Sequence, residues 1–152
     1  MSDLLRDSIH GLSGALPLIP GETLLNTWVT DRASYWRSHA IMALIGGITA
    51  GIVLVYLGNP TPWVGPVAAA GALGVRGAYL ASEALALTWR LTDRRLLGPG
   101  GRNVALPQIT TARPFLGDVQ IITRSGDKHL MKYMTDAKPV IAAIDAARKG
   151  FP

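Results

Sequence analysis

The sequence predicts a membrane α-helical hairpin joined to an all-β domain that ends in a capping helix. Three observations carry this reading. Two long apolar runs, over 40–57 and 64–86, flank a short turn rich in Gly, Pro and Asn. Residues 87–134 then break into short stretches rich in β-branched side chains, separated by Gly, Pro and Asp clusters. Residues 135–150 change period again, with an acidic start, a proline in the first turn, a basic last turn and a glycine stop.

Composition agrees with two environments in one chain. Of 152 residues, 49% are hydrophobic but only 7% aromatic. The mean hydropathy is positive, so part of the apolar surface is meant for lipid rather than for a core. Cysteine is absent, which excludes a disulfide framework, a thiolate metal site and a cysteine nucleophile. The net charge of +5 is uneven: from Leu87 onward lie 11 of the 15 Lys/Arg but 5 of the 10 Asp/Glu. A basic segment behind a membrane hairpin is expected either to face anionic head groups, each cation there being worth about 1 kcal/mol, or to reflect ordinary positive-inside bias without lipid specificity.

Taken in order, residues 1–20 form a tail or an interfacial helix, with Leu5, Ile9 and Leu12 on one side of residues 3–12. Residues 21–37 hold the first strand or strands of the β domain, read from GETLLNTWVT. The first span, 38–57, contains the uncharged run AIMALIGGITAGIVLVYL. At about 1.5 Å per residue that run covers roughly 27 Å, close to the ~30 Å hydrocarbon core. Its distance from the N-terminus, and the presence of Asp3 and Asp7, argue against a cleaved signal peptide. In the turn, 58–63, Gly58 is expected to end the first helix, Thr61 to cap the next and Pro62 to be its first helical residue. Tyr56 and Trp63 share one interfacial depth.

The second span, 64–86, is interrupted by Arg76. Either Arg76 snorkels to head groups from near the hydrocarbon edge, or the helix runs on to Leu87 and presents Arg76 and Glu83, on one face, to a partner protein. Small residues recur as Gly47 and Gly51 in the first span and as Ala70, Gly74, Ala78 and Ser82 in the second. Packing of the two helices on each other is expected to account for both stripes. Arg32 and Arg37 precede the hairpin and Arg90, Arg94 and Arg95 follow it, whereas the turn has no Lys or Arg. The positive-inside rule then places both termini in the cytoplasm.

Four or five strands are expected in the β domain over 87–134, from LTWRLTDRRLL, RNVAL, QITTARPF, GDVQIITR and KHLMKYM. The strand before the hairpin can join them, because the hairpin returns the chain to the same side. Val140, Ile141 and Ile144 form the apolar stripe of the final helix, suited to closing one end of a small sheet or barrel.

A family resemblance rests on Pro20-Gly21-Glu22 before a strand, the two apolar spans, Trp89-Arg-Leu-Thr-Asp-Arg-Arg-Leu96, Leu106-Pro-Gln-Ile109, Gly117-Asp118-Val119 and the final helix. Over residues 17–148 this order resembles the bacterial membrane-anchored pleckstrin-homology-like domain proteins of the YdbS type. The segment after the second span is also similar to PH-like photosynthetic-complex assembly proteins. The resemblance implies a PH-like, partly open β-barrel with a C-terminal capping helix at the bacterial inner membrane, without established enzymatic chemistry. The glycine-rich link from 97 to 104 and the short stretch 109–117 depart from that pattern and leave little room for a head-group pocket made of long loops.

No motif supports an enzyme. His10, His39 and His129 are dispersed, the carboxylates are scattered, and Gly98-Pro-Gly-Gly101 lacks the Lys-Ser/Thr of a phosphate loop. No catalytic residue, cofactor or metal is therefore expected, and the basic residues accompany no nucleic-acid-binding signature. The expected partners are membrane lipids and a membrane protein or complex, with a homo-oligomer left open. The leading reading is a non-catalytic inner-membrane binding module that acts as a subunit, scaffold or assembly factor of a membrane complex. The alternative is a lipid-responsive module that binds anionic phospholipid head groups. Candidate contacts are Arg76, Glu83, Arg90, Arg94, Arg95, Arg102, Lys128 and Lys132. Strand alternation is expected to put Arg90, Asp93 and Arg95 on differing faces, and Arg94 is expected either to bind phosphate or to brace against Asp93 or Asp118.

Overall fold

A computed structural model describes residues 16–151; the segment 3–12 lies outside them. The chain divides into two compact units, Arg32–Leu85 and the segments flanking it.

The first unit is an antiparallel pair of helices, α1 (Arg32–Tyr56) and α2 (Val64–Leu85), both long and apolar enough to cross a membrane. Helix α1 starts at Arg32, so residues 32–37 are helical rather than strand. The reason lies in packing: Tyr35 and His39 are buried, the Tyr35 hydroxyl donates to the Gly77 carbonyl at 2.7 Å, and His39 Nδ1 lies 3.0 Å from the Tyr35 carbonyl. Helix α1 ends in a Schellman motif, in which Gly58 (φ +68) donates to Val55 and Asn59 donates to Leu54. Asn59 Oδ1 then accepts from both the amide and the hydroxyl of Thr61, at 2.9 and 3.1 Å. The Thr61 side chain is thus committed to the turn rather than to a helix cap, and α2 begins at Val64 instead of Pro62.

Glycines set the approach of the two helices. A methyl group at Gly65 would sit 2.9 Å from the Ala50 backbone, and one at Gly77 would sit 2.9 Å from the His39 ring. Gly47 and Gly51 both face Pro66, so the GxxxG of α1 lies in this interface. The stripe of α2 does not. Ala70, Gly74, Ala78 and Ser82 are exposed, and α2 packs through Gly65, Ala69, Leu73 and Gly77. A ridge one position away in sequence took the contact, because Gly77 admits the Trp36 and His39 rings.

The second unit holds seven strands and a helix. Strands β1 (Leu24–Val29), β2 (Thr88–Thr92), β3 (Arg95–Gly98) and β4 (Arg102–Ala105) form one antiparallel sheet in that order. Strands β5 (Ile109–Phe115), β6 (Asp118–Thr123) and β7 (Lys128–Met131) form a second. Six strands therefore follow α2, more than the four or five expected, because LTWRLTDRRLL is two strands with a reversal at Asp93-Arg94. Thr92 makes that reversal, its hydroxyl accepting from the amides of Arg94 and Arg95. The strand before α1 pairs directly with the strand after α2, with Trp28 opposite Trp89.

Helix α3 (Ala137–Lys149) is capped by Asp136, which accepts from the Lys138 amide at 3.0 Å. It buries Val140 and Ile144 among Trp89, Leu91, Leu96, Val119, Ile121 and Met131. Leu97, paired with Arg90 on the opposite face of the first sheet, is also fully buried. The carbonyls of Leu16 and Pro17 lie over that face, where Arg90 and Arg95 donate to them.

Candidate functional site

Three of the eight candidate contacts come together. Arg102 at the start of β4, Lys128 at the start of β7 and Lys132 just beyond its end line a cleft of about 380 Å³ with Thr30, Leu87, Trp89, Pro99, His129 and Leu130. Lys128 and Leu130 lie on one face of β7, and Lys132 follows directly after the strand. Arg102 is fixed by donating to the Pro99 carbonyl at 3.2 Å, at the end of the Gly98–Gly101 turn that brings it to the rim. Trp89 forms the floor, and Gly98 is required beneath it: a methyl group there would lie 2.5 Å from the indole.

Among the described residues no Asp or Glu lines this cleft, although Lys132 also acts on the charge of the Asp118 carboxyl, and an anionic group entering it gains charge-assisted hydrogen bonds. Thr30 and Leu87, joined by a 3.3 Å backbone hydrogen bond, bound the cleft where the chain leaves and re-enters the β domain. A smaller cleft of about 220 Å³ contains Arg124, Arg148 and Lys149, but there Asp145 is part of the lining. Arg148 is already committed to Asp145 and to the Thr110 carbonyl.

The other five candidates are placed elsewhere. Arg95 is bound to Glu22 through two hydrogen bonds of 2.8 and 3.0 Å, and the Glu22 side chain is sealed from solvent. The Arg95 guanidinium, aided by the Thr92 hydroxyl and the Ile19 amide, holds the Glu22 carboxyl down from 4.5 to about 2 despite its burial. Arg90 donates through Nη2 to the Leu16 carbonyl, and its Nε is buried without a hydrogen-bond partner among the described residues. Arg90 and Arg95 thus serve one face, contrary to the expected alternation, because the reversal at Asp93-Arg94 folds their strands together. Arg94 is exposed and donates weakly to the Gly21 carbonyl at 3.4 Å. It braces neither Asp93, which accepts from the Thr23 amide, nor Asp118, which accepts from the Tyr133 amide. Burial pushes the Asp118 carboxyl above its ordinary range.

Arg76 and Glu83 lie on α2, which ends at Leu85, and both are exposed without a partner among the described residues. Among those residues no group of three His, Asp or Glu could hold a metal ion.

Sequence reasoning missed the neutral lining, Trp89, Pro99 and His129, along with the two junction residues Thr30 and Leu87. The Lys-x-Leu-x-Lys alternation from Lys128 to Lys132 was the available signal, since in an extended segment it sets two cations on one side. Compared with family models, with curated proteins and with solved structures, the chain matches none.

Proposed function

We propose that this chain is a membrane-anchored, non-catalytic binding module of PH-like fold, whose basic cleft takes an anionic phospholipid head group at the cytoplasmic surface of a bacterial inner membrane. The observation that carries the reading is the cleft itself: Arg102, Lys128 and Lys132 with no carboxylate in the lining among the described residues, bounded by Thr30 and Leu87 near the two apolar helices. Two antiparallel sheets of four and three strands with a terminal helix support the PH-like assignment. The arginines flanking α1 and α2, with none in the turn, support a cytoplasmic β domain.

The test is lipid retention by the full chain in mild detergent, read by native mass spectrometry with phosphatidylglycerol against phosphatidylcholine. Preferential phosphatidylglycerol retention is expected. It should fall roughly 30-fold in the Lys128→Gln/Lys132→Gln variant, since two cations at about 1 kcal/mol each sum to that factor. Arg94→Gln serves as the control. Equal retention of both lipids, or no loss in the double variant, would overturn the reading.

A second reading, a subunit or assembly factor of a membrane complex, is favoured by one observation: Ala70, Gly74, Ala78 and Ser82 line an outer face of α2 that α1 does not use. Small residues of this kind let another helix approach closely, and Arg76 and Glu83 are available to polar partners. Arg76→Leu should then abolish co-purification of the complex while leaving insertion intact.

A further inference from the structure

We propose that the tip of the β5–β6 hairpin, Phe115 and Leu116, inserts into the lipid surface of the bilayer that the helical hairpin crosses. The inference rests on the membrane reading of α1 and α2, and adds a third, peripheral attachment made by the β domain itself.

The tip is a two-residue turn in which both central residues have positive φ, Leu116 at +51 and Gly117 at +89. Turns of this pattern favour Asn, Asp or Gly, which reach the left-handed region without a steric penalty. Leucine is a poor choice here, and nothing among the described residues covers it: Leu116 is 91% exposed and its neighbour Phe115 is 41% exposed. The other turn of the same strand, at Ser125-Gly126-Asp127, is polar and knitted by hydrogen bonds from Ser125 to Asp127, as contact with water demands. A strained, exposed apolar side chain at one turn and not at the other marks a contact outside the domain.

The position of the tip within the β domain identifies the occupant. Asp118, two residues beyond Leu116, accepts from the Tyr133 amide at 2.8 Å. Tyr133 in turn accepts from the Asp31 amide at 2.8 Å, and Asp31 is the last residue before α1. The return strand arrives at the same place, where Thr30 donates to Leu87. The tip therefore lies at the end of the β domain that holds Thr30, Asp31 and Leu87, the residues through which the chain enters one apolar helix and returns from the other. Exposed Arg113 and Lys132 flank it, which suits an anionic lipid surface beside an apolar insertion.

Because the chain has no cysteine, single-cysteine labelling needs no background substitutions. Leu116→Cys, Ser125→Cys and Ile48→Cys, each carrying a nitrobenzoxadiazole fluorophore, are placed in the full chain in phosphatidylglycerol/phosphatidylethanolamine liposomes with nitroxide-bearing lipids. The label at 116 should emit in the blue and lose about half its intensity to shallow nitroxides, while the label at 125 does neither and the label at 48 is quenched by deep nitroxides. If 116 behaves like 125 while 48 is quenched, this inference fails and the membrane reading stands. Blue emission at 116 without lipid quenching would mean a protein contact and would also overturn it. A label at 48 that no lipid nitroxide quenches would remove the membrane reading and this inference with it.

Discussion

In the β domain Trp89, Leu96, Val119 and Ile144 are at most 3% exposed, whereas Leu44, Ile52 and Val75 of the helical hairpin are 63%, 63% and 73% exposed. The residue types overlap, but the two regions solve different problems. In the β domain, large side chains from two sheets and α3 exclude water from one another, and cohesion scales with the apolar area removed. In the hairpin the large side chains stay exposed, so cohesion comes from backbones brought together at Gly47, Gly65 and Gly77. The same kind of contact carries opposite weight in each: Gly98 makes room for a core tryptophan, while Gly77 makes room for a neighbouring helix.

Three experiments would break or sharpen that contrast. The largest effect is expected from Trp89→Ala, which removes the floor of the cleft and opens a cavity, costing about 4 kcal/mol. Limited proteolysis in membranes should digest the β domain, while α1 and α2 still resist alkaline extraction. Extraction of the whole chain would mean the two regions do not hold independently.

An intermediate effect is expected from acid. The Glu22 carboxyl is held at about 2 in the folded chain against 4.5 ordinarily. Its stabilisation is therefore complete above pH 4.5 and is lost as pH falls through about 2, on the order of 2–3 kcal/mol in all. Glu22→Gln should abolish this dependence. Asp118, raised by burial, acts in the opposite sense: its contribution is full below its ordinary value and is lost as pH rises through its folded one. The variant should therefore lose stability slightly with rising pH just above the ordinary carboxyl range. Melting of the β domain, followed by tryptophan fluorescence, reads both slopes.

The smallest effect is expected from Gly77→Ala. The added methyl group must push the His39 and Trp36 rings aside, costing about 1–2 kcal/mol. Cross-linking between α1 and α2 should fall, with the β-domain melting temperature unchanged. A shift in that temperature would break the contrast from the other side.

The membrane-compatible helices were legible because a bilayer demands a long apolar run, and both runs stand out against their flanks, the first uncharged over 40–57 and the second broken only by Arg76 and Glu83. The start of α1 was not, since RASYWRSH carries two arginines and follows GETLLNTWVT, whose strand reading extends to residue 37; the contacts of Tyr35 and His39 with Gly77 favour helix from Arg32. The reversal at Asp93-Arg94 escaped notice because it has neither Gly nor Pro, and Thr92 supplies the turn through its hydroxyl. Of the site, Lys128 and Lys132 were readable from their alternation. Arg95 and Arg90 could be removed from it only by contacts with Glu22 and Leu16, more than seventy residues away in sequence, which no local pattern encodes.

The pairing of β1 with β2 across the inserted hairpin has a consequence for biogenesis. One sheet is built from a strand made before the first apolar helix and strands made after the second, so on the proposed membrane reading it closes only when both helices have crossed and the chain has returned to the side it left. If only one helix crossed, β1 would be stranded on the opposite side from β2, leaving Trp28 without Trp89. On that reading completion of the domain reports on correct insertion, and a misinserted chain would present an unpaired strand edge to the quality-control proteases of the cell.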